Sequence, residues 1–573
     1  MSTLLDRRDV DFLLHAWLKA GDLVDRETVD AILDLSEQLA TDQFLTHYKR
    51  SDVEEPRLQD GQVRVCPPIH DALAQYAELG LFSAGFTEEQ GGLGLPYLVC
   101  AASFAFFAAA NTATAAYPML TVANARLIAT FGSAVQVETF AKPQIEGRWF
   151  GTMCLSEPQA GSSLADVRTK ATPDGEDGFG ARYRLAGNKM WISGGDQDVS
   201  ENIVHLVLAK VPNADGTLPE GTAGISLFIV PKILPDGSRN DVSVAGLNHK
   251  MGYRGTANCL LNFGEAGGAT GWIVGAPGQG LRQMFLMMNE ARIGVGMGAA
   301  AMGYRGYRLS VAYARERLQG RPSGQRGGPP VAIIEHPDVR RMLLQQKAYV
   351  EGALALCLYC AKLVDTQDDS AEAAALLGLL TPIAKTWPSE YGLAANDIAI
   401  QIHGGYGYTR DFDVEQLWRD NRLNPIHEGT TGIQGMDLVG RKILADGAGL
   451  PVLERSISRT VEAARAVAGL EAHAETLVKA WGAVTETIDV LRGGERPLDN
   501  ATAFLQAFGH VVVAWLWLDQ AVTAAGLDDR DLVEGKLRAC RFFFECELPK
   551  VGALLAFVGS RSDVASAAPT AIF

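Results

Sequence analysis

The chain has 573 residues, 47% of them hydrophobic and 21% charged, and its 51 Lys+Arg against 67 Asp+Glu give a formal charge of −16. That length asks for several packed units rather than one core, and the composition is that of a soluble globular protein. The acidic balance argues against a nucleic-acid surface and against an anionic-membrane surface, while leaving room for a local basic pocket.

The first residues, MSTLLDRRDVDFLL, mix acids among apolar side chains and do not read as a signal peptide. Residues 4–148 read as mostly helical, from spacings of three and four in VDAILDLSEQLATDQFL and IHDALAQYAELGL. TEEQGGLGLP is a break, and LVCAASFAFFAAANTATAAYPML follows as one long buried helix. The most apolar runs, 98–110 and 511–518, read as too short to span a bilayer, so no membrane span and a cytoplasmic location are expected.

The pattern changes near residue 149. RYRLAG, IVHLVLAK, GISLFIVPK, DVSVAGL and NCLLNFGE are short, β-branched or alternating, and read as strands of an antiparallel sheet or barrel ending near residue 270. Helical patterning returns at 271–445, where Gly294, Gly296, Gly298, Gly303 and Gly306 interrupt a helix. Each costs roughly 1 kcal/mol against alanine, which suggests that another helix or a ligand comes close. GRPSGQRGGPP (320–330) is a loop, and 446–573 reads as a further set of helices. The domains expected are thus 1–148, 149–270, 271–445 and 446–573, an α+β multidomain chain without the βα alternation of a doubly wound fold and without GxGxxG. Among eight cysteines, Cys357 and Cys360 form a single CxxC in an apolar helix and read as buried rather than metal-binding.

Five places could carry chemistry. CLSEPQAGSSLADV (154–167) offers Ser156 and Ser162 beside Gly161, or simply a turn. GNKMWISGG (187–195) offers a flat Trp191 next to Ser193, or a strand-end tryptophan. Arg317 in RERLQGR suits a diphosphate, or a helix C-terminus. QIHGGYGYT (401–409) carries glycines that let a phosphate approach, or that end a helix, and His403 reads as a packing residue. In IHEGTTG, Glu428 is either a dipole partner of a helix N-terminus or a base.

Taken in order, CLSEPQAGSS, KMWISGG, HKMGYRGT, RERLQGR, QIHGGYGYT and IHEGTTGIQG resemble the acyl-CoA dehydrogenase family over roughly residues 60–445. The helices beyond 446 resemble those of its long bacterial members, the broad-range fatty acyl-CoA and methylmercaptopropionyl-CoA dehydrogenases. The resemblance implies an N-terminal α-helical domain, a middle antiparallel β-barrel, a C-terminal helical bundle and an additional C-terminal α-helical domain. It implies FAD as cofactor, an acyl-CoA substrate, electron-transferring flavoprotein as acceptor, and a homodimer or a tetramer.

Carried over residue by residue, Met153, Leu155, Ser156, Gly161 and Ser162 match the flavin-lining strand and loop, Ser162 lying near cofactor or substrate. Trp191, Ile192 and Ser193 match the ring-stacking segment. Arg317 matches the arginine that reaches the diphosphate of the other subunit's FAD, and Gln401, Gly404 and Gly405 match the stretch over the adenosine diphosphate. Asn289 and Arg292 match the helix along the acyl-CoA. Glu428 matches the catalytic base, Gly429 a substrate contact and Thr430 a flavin contact. Some relatives place the base directly before the substrate arginine; here that residue is Ala291, and Glu290 points about 100° away around a helix. Gly432 departs from the polar cofactor contact of shorter members. An acyl-CoA oxidase and a flavoprotein of the alkylation-response type are the alternatives.

Overall fold

The computed structural model describes residues 3–322 and 324–573, apart from the side chains of 285–288. Ser323, in the expected 320–330 loop, lies outside the described residues. The chain divides into two compact units: 1–32, 97–109 and 292–573 in the first, and 33–96 and 110–291 in the second.

The second unit holds the sheet. Its early part is not wholly helical, because β1 (Arg57–Gln59) and β2 (Gln62–Arg64) pair as a hairpin. Asp60 and Gly61 join them, both with positive φ, as a two-residue hairpin turn requires. The main sheet comprises β3 (Trp149–Cys154), β4 (Lys170–Asp177), β5 (Gly180–Ser193), β6 (Asn202–Lys210), β7 (Ile225–Pro231), β8 (Val242–Leu247), β9 (Asn258–Phe263) and β10 (Ala269–Ile273). Most pairs are antiparallel, as expected. The exceptions are β3, which lies parallel to β6, and the single parallel pair Lys170–Lys210. Because β10 pairs with both β7 and β5, the order β10-β7-β6-β4-β5 returns on itself. Every residue of β6 and β7 is buried. Their alternate residues feed two cores, one around Val204, Leu206, Leu227 and Ile229, the other around Val207, Ala209, Phe228 and Val230.

The helix expected as one rod, α1 (Tyr97–Phe131), is broken at Asn111 (φ −159°, ψ 89°) rather than at its Pro118. The Asn111 side chain donates to Phe44 O and Ser51 Oγ, both at 3.3 Å, and accepts from Thr114 N, so the break is held by its own hydrogen bonds. This helix and Ala501–Ala524 are longer than their apolar runs and long enough to cross a bilayer. In each, however, the most apolar 18-residue stretch is packed inside the protein, 89% and 83% buried.

The first unit is helical: α2 (Gly280–Glu316, from residue 292), α3 (Pro337–Thr366), α4 (Ala371–His403), α5 (Asp413–Asn421) and α6 (Thr431–Met436), then α7 (Gly449–Arg465), α8 (Glu471–Arg492), α9 (Ala501–Ala524), α10 (Arg530–Phe542) and α11 (Lys550–Gly559). Of the α2 glycines, Gly296, Gly303 and Gly306 lie against α4, the helix alternative of the two neighbours expected. A Cβ on Gly296 would overlap the Ala384 carbonyl of α4, and one on Gly303 would come 2.9 Å from the Gly392 Cα. Pro388, lacking an N–H, frees that Ala384 carbonyl, which the Cys357 thiol reaches at 3.8 Å. Cys357 and Cys360 are fully buried.

Candidate active site

In the second unit, the segment after β3 is fixed by a buried ion pair. Lys189, on β5, donates to Glu157 Oε1 (2.9 Å) and to the Leu155 carbonyl (3.0 Å), with no exposure of its own. Glu157 also accepts from Arg168 N (2.7 Å), Thr169 N (3.0 Å), Thr169 Oγ1 (2.6 Å) and Gln159 Nε2 (2.7 Å). Burial raises the Glu157 carboxyl, but the Lys189 charge and the Thr169 and Arg168 donors outweigh it and hold it at about 2. On Lys189 burial wins and lowers the ammonium against the pull of Glu157. The carboxylate has five donors, so we take the pair as ionised.

Met190 N donates to Ser156 O (2.9 Å), which sets Leu155 and Ser156 beside the strand that ends in Trp191, Ile192 and Ser193. The β5–β9 register shifts between Lys189 and Ile192, and Trp191 there takes φ +66°, a costly conformation for a bulky residue. The result is a 59% exposed indole, while Ile192 is buried and Ser193 Oγ accepts from Asn258 Nδ2 at 3.3 Å. Met153, Leu155 and Ser156 are half-buried; Gly161 and Ser162 are exposed, with open space around Gly161. Glu290 is ion-paired with Arg126 at 2.9 Å, and Asn289 is half-buried.

In the first unit, Glu428 takes φ +53° and Gly429 φ +88°, a left-handed turn before the N-cap Thr430, whose hydroxyl accepts from Ile433 N at 3.4 Å. Two side chains grip this turn. Lys385 Nζ, fully buried on α4, donates to Asn424 O and Gly429 O, both at 2.7 Å. Gln434 Nε2 donates to Glu428 O at 3.0 Å and would clash with any Cβ on Gly429. Below them runs an amide ladder: Asn396 accepts from Asn421 (2.7 Å), Asn421 from Asn424 (2.9 Å), and Asn424 bonds His427 Nε2 (2.9 Å). The Glu428 side chain keeps solvent access, yet the protein packed around it desolvates the carboxyl and raises its pKa, against the pull of Lys385 and Arg292. Burial lowers Lys385 to about 8, and burial with the Lys385 charge keeps His427 neutral, at about 3. Arg292 is buried and bonds Asp437 Oδ2 at 2.8 Å, and its Nε has no partner among the described residues.

Arg317, at the end of α2, meets Gly404 and Gly405 in a second place: with Tyr313, Gln319, Ile333, His403 and Tyr406 they line a cavity of about 510 Å³. Arg317 lies 6.0 Å from the Tyr406 ring centroid, and both glycines face open space. An arginine fork beside backbone bare of Cβ atoms suits a diphosphate. His403 does pack, stacked on Tyr313 at 4.4 Å and bonded to Ala399 O; Gln401 is exposed on the last turn of α4. Lys385, Gln434 and the Glu157–Lys189 pair were missed as site residues by sequence reasoning. A lone lysine in the apolar run TPIAKTWP was the available sign of the first.

Four acyl-CoA dehydrogenase family domains match in order: the N-terminal domain at 37–148, the middle domain at 152–266, the C-terminal domain at 278–444, and an acetyl-CoA dehydrogenase C-terminal-like domain at 454–569. The chain is 36% identical over 513 residues to 3-methylmercaptopropionyl-CoA dehydrogenase of Ruegeria pomeroyi, covering 86% of this chain and 85% of that one. The chain belongs to the acyl-CoA dehydrogenase family. It is also 32% identical over 588 residues to the broad-specificity linear acyl-CoA dehydrogenase FadE5 of Mycobacterium tuberculosis, covering 91% of this chain and 95% of that one. In fold it matches Caenorhabditis elegans ACDH-11 in complex with C11-CoA (TM-score 0.75, 20% identity, 99% and 93% coverage). It also matches a Bacillus anthracis acyl-CoA dehydrogenase complexed with FAD (TM-score 0.75, 21% identity, 93% and 88%). This family is one of flavin-linked oxidoreductases, and the additional domain beyond the bundle is part of the family fold.

Proposed function

We propose that this enzyme oxidises an acyl-CoA thioester to the trans-2-enoyl-CoA, with Glu428 taking the α-proton. The observation that supports this most is the desolvated Glu428 carboxyl on a left-handed turn gripped by Lys385 and Gln434. Burial raises the basicity that a weak carbon acid demands, and the grip aims the group. The Glu428 N–H, on the same turn, is offered to the thioester carbonyl, where a fixed donor stabilises the enolate-like charge. Gly429, without a Cβ, lets the thioester lie against the loop. When bound, FAD accepts the β-hydride, chemistry no side chain can perform.

Arg317, Gly404, Gly405 and Gln401 would hold its diphosphate end. Trp191, Ile192, Ser193, Met153, Leu155, Ser156, Gly161, Ser162 and Thr430 would hold the flavin. Ser162, Asn289, Arg292 and Gly429 would line the acyl-CoA. Leu318, Tyr406 and Tyr408 are exposed by 54%, 52% and 90%, an apolar rim that a second subunit of a homodimer would cover. Electron-transferring flavoprotein is the acceptor we propose, in the cytoplasm.

The test is Glu428→Gln: the variant stays yellow, and flavin bleaching by acyl-CoA without oxygen slows by about 10²–10⁴-fold. Bleaching at the parent rate would overturn the assignment. A panel of acyl-CoAs differing in length, branching and thioether content then fixes the substrate.

A further inference from the structure

We propose that Lys385 is the positioning residue of the Glu428 loop: its ammonium pins the chain on both sides of the base and sets the carboxylate's reactivity through space. This rests on the reading of Glu428 as the base. The geometry is one-sided in a telling way. Lys385 Nζ donates at 2.7 Å to the carbonyl of Asn424, four residues before Glu428, and at 2.7 Å to that of Gly429, one residue after it. No hydrogen bond between Nζ and the Glu428 carboxylate accompanies them among the described residues, so the acid feels the charge without being tied up by it.

Glu428 and Gly429 hold left-handed backbone, the costly state that drifts first when support is lost. Gln434 braces the turn at the Glu428 carbonyl (3.0 Å) and more distantly at that of Gly429 (3.5 Å), but a neutral amide cannot supply a charge. The lysine is itself held rigidly. Its neighbour Ala384 lies against Gly296 of α2, and Ser389 Oγ bonds the Lys385 carbonyl at 2.5 Å. The charged and titratable groups around it are Glu428 and His427 on the loop, Arg292 on α2 and Glu390 on its own helix. Only Glu428 is both opposite in charge and on the turn that Lys385 grips.

Lys385→Met removes grip and charge; Lys385→Arg keeps the charge and alters the grip. With FAD content and melting temperature recorded as controls, Lys385→Met is expected to slow flavin reduction about a hundredfold. It should also move the acid limb of the kcat/KM–pH profile about one pH unit upward, because a desolvated carboxyl without a neighbouring positive charge protonates more readily. Lys385→Arg should keep the limb in place at reduced rate. The Glu428→Gln, Lys385→Met pair should be no slower than Glu428→Gln alone. A Lys385→Met enzyme with the parent limb, whether fast or slow only in proportion to lost FAD, would overturn the proposal and leave the base assignment standing. Flavin reduction at parent rate in Glu428→Gln would overturn both.

Discussion

In each unit of this enzyme a buried lysine, Lys189 or Lys385, stands behind a loop of the proposed site, and the two are wired differently. Lys189 donates to a carboxylate as well as to a carbonyl, and the carboxylate, Glu157, is saturated by backbone and side-chain donors. Among the described residues Lys385 donates to carbonyls, and the nearby Glu428 side chain keeps solvent access. In the first arrangement the acid serves the structure; in the second the loop is held and the acid is left for the role proposed above. The same residue type therefore stiffens a wall in one unit and, on that proposal, supports a base in the other.

The contrast can be broken or refined in five ways. Glu428→Gln should cost catalysis alone, by the orders of magnitude given above, with a urea midpoint close to the parent's. Lys189→Met should cost stability, about 3–5 kcal/mol by denaturant titration, since it strands a buried carboxylate. Acid should do the same more gently. The Glu157 carboxyl sits at about 2 in the folded protein, below its ordinary value of 4.5. Its stabilisation is thus complete above about pH 4.5 and lost as pH falls toward 2, an amount on the order of 3 kcal/mol that Glu157→Gln should remove from the pH–stability curve. Arg317→Ala should weaken FAD binding by about 1.5–3 kcal/mol, one charge-assisted contact, measured by fluorescence titration of apoprotein. Smallest is Gly435→Val on α6. A Cβ there already lies 3.0 Å from the Ala501 carbonyl group of α9, so bulk should cost about 1–3 kcal/mol and slow turnover by disturbing the helix that follows Glu428.

The helices and strands were legible because burial imposes periods of 3.6 and 2 on the sequence. The glycines of α2 pointed to a close neighbour, helix or ligand, and at Gly296, Gly303 and Gly306 that neighbour is α4. The Asp60-Gly61 hairpin signal was present in RLQDGQVR and overlooked in a helical context. The break at Asn111 was not legible, because its partners Phe44 and Ser51 lie sixty or more residues away, while Pro118 was the visible suspect. Lys385 escaped for the same reason: its meaning lies in carbonyls 39 and 44 residues further on. Motifs name the residues that touch ligands; the groups that hold those residues are chosen by the fold.

Trp191 has one more consequence. The chain has nine tryptophans, and Trp191 is the one that is exposed, its ring turned outward by a backbone angle few bulky residues accept. A water-borne quencher such as iodide would therefore reach this ring more readily than the buried ones, and whatever settles over it would shield it. The strained turn gives the enzyme a built-in optical gauge of occupancy, readable without label or substrate.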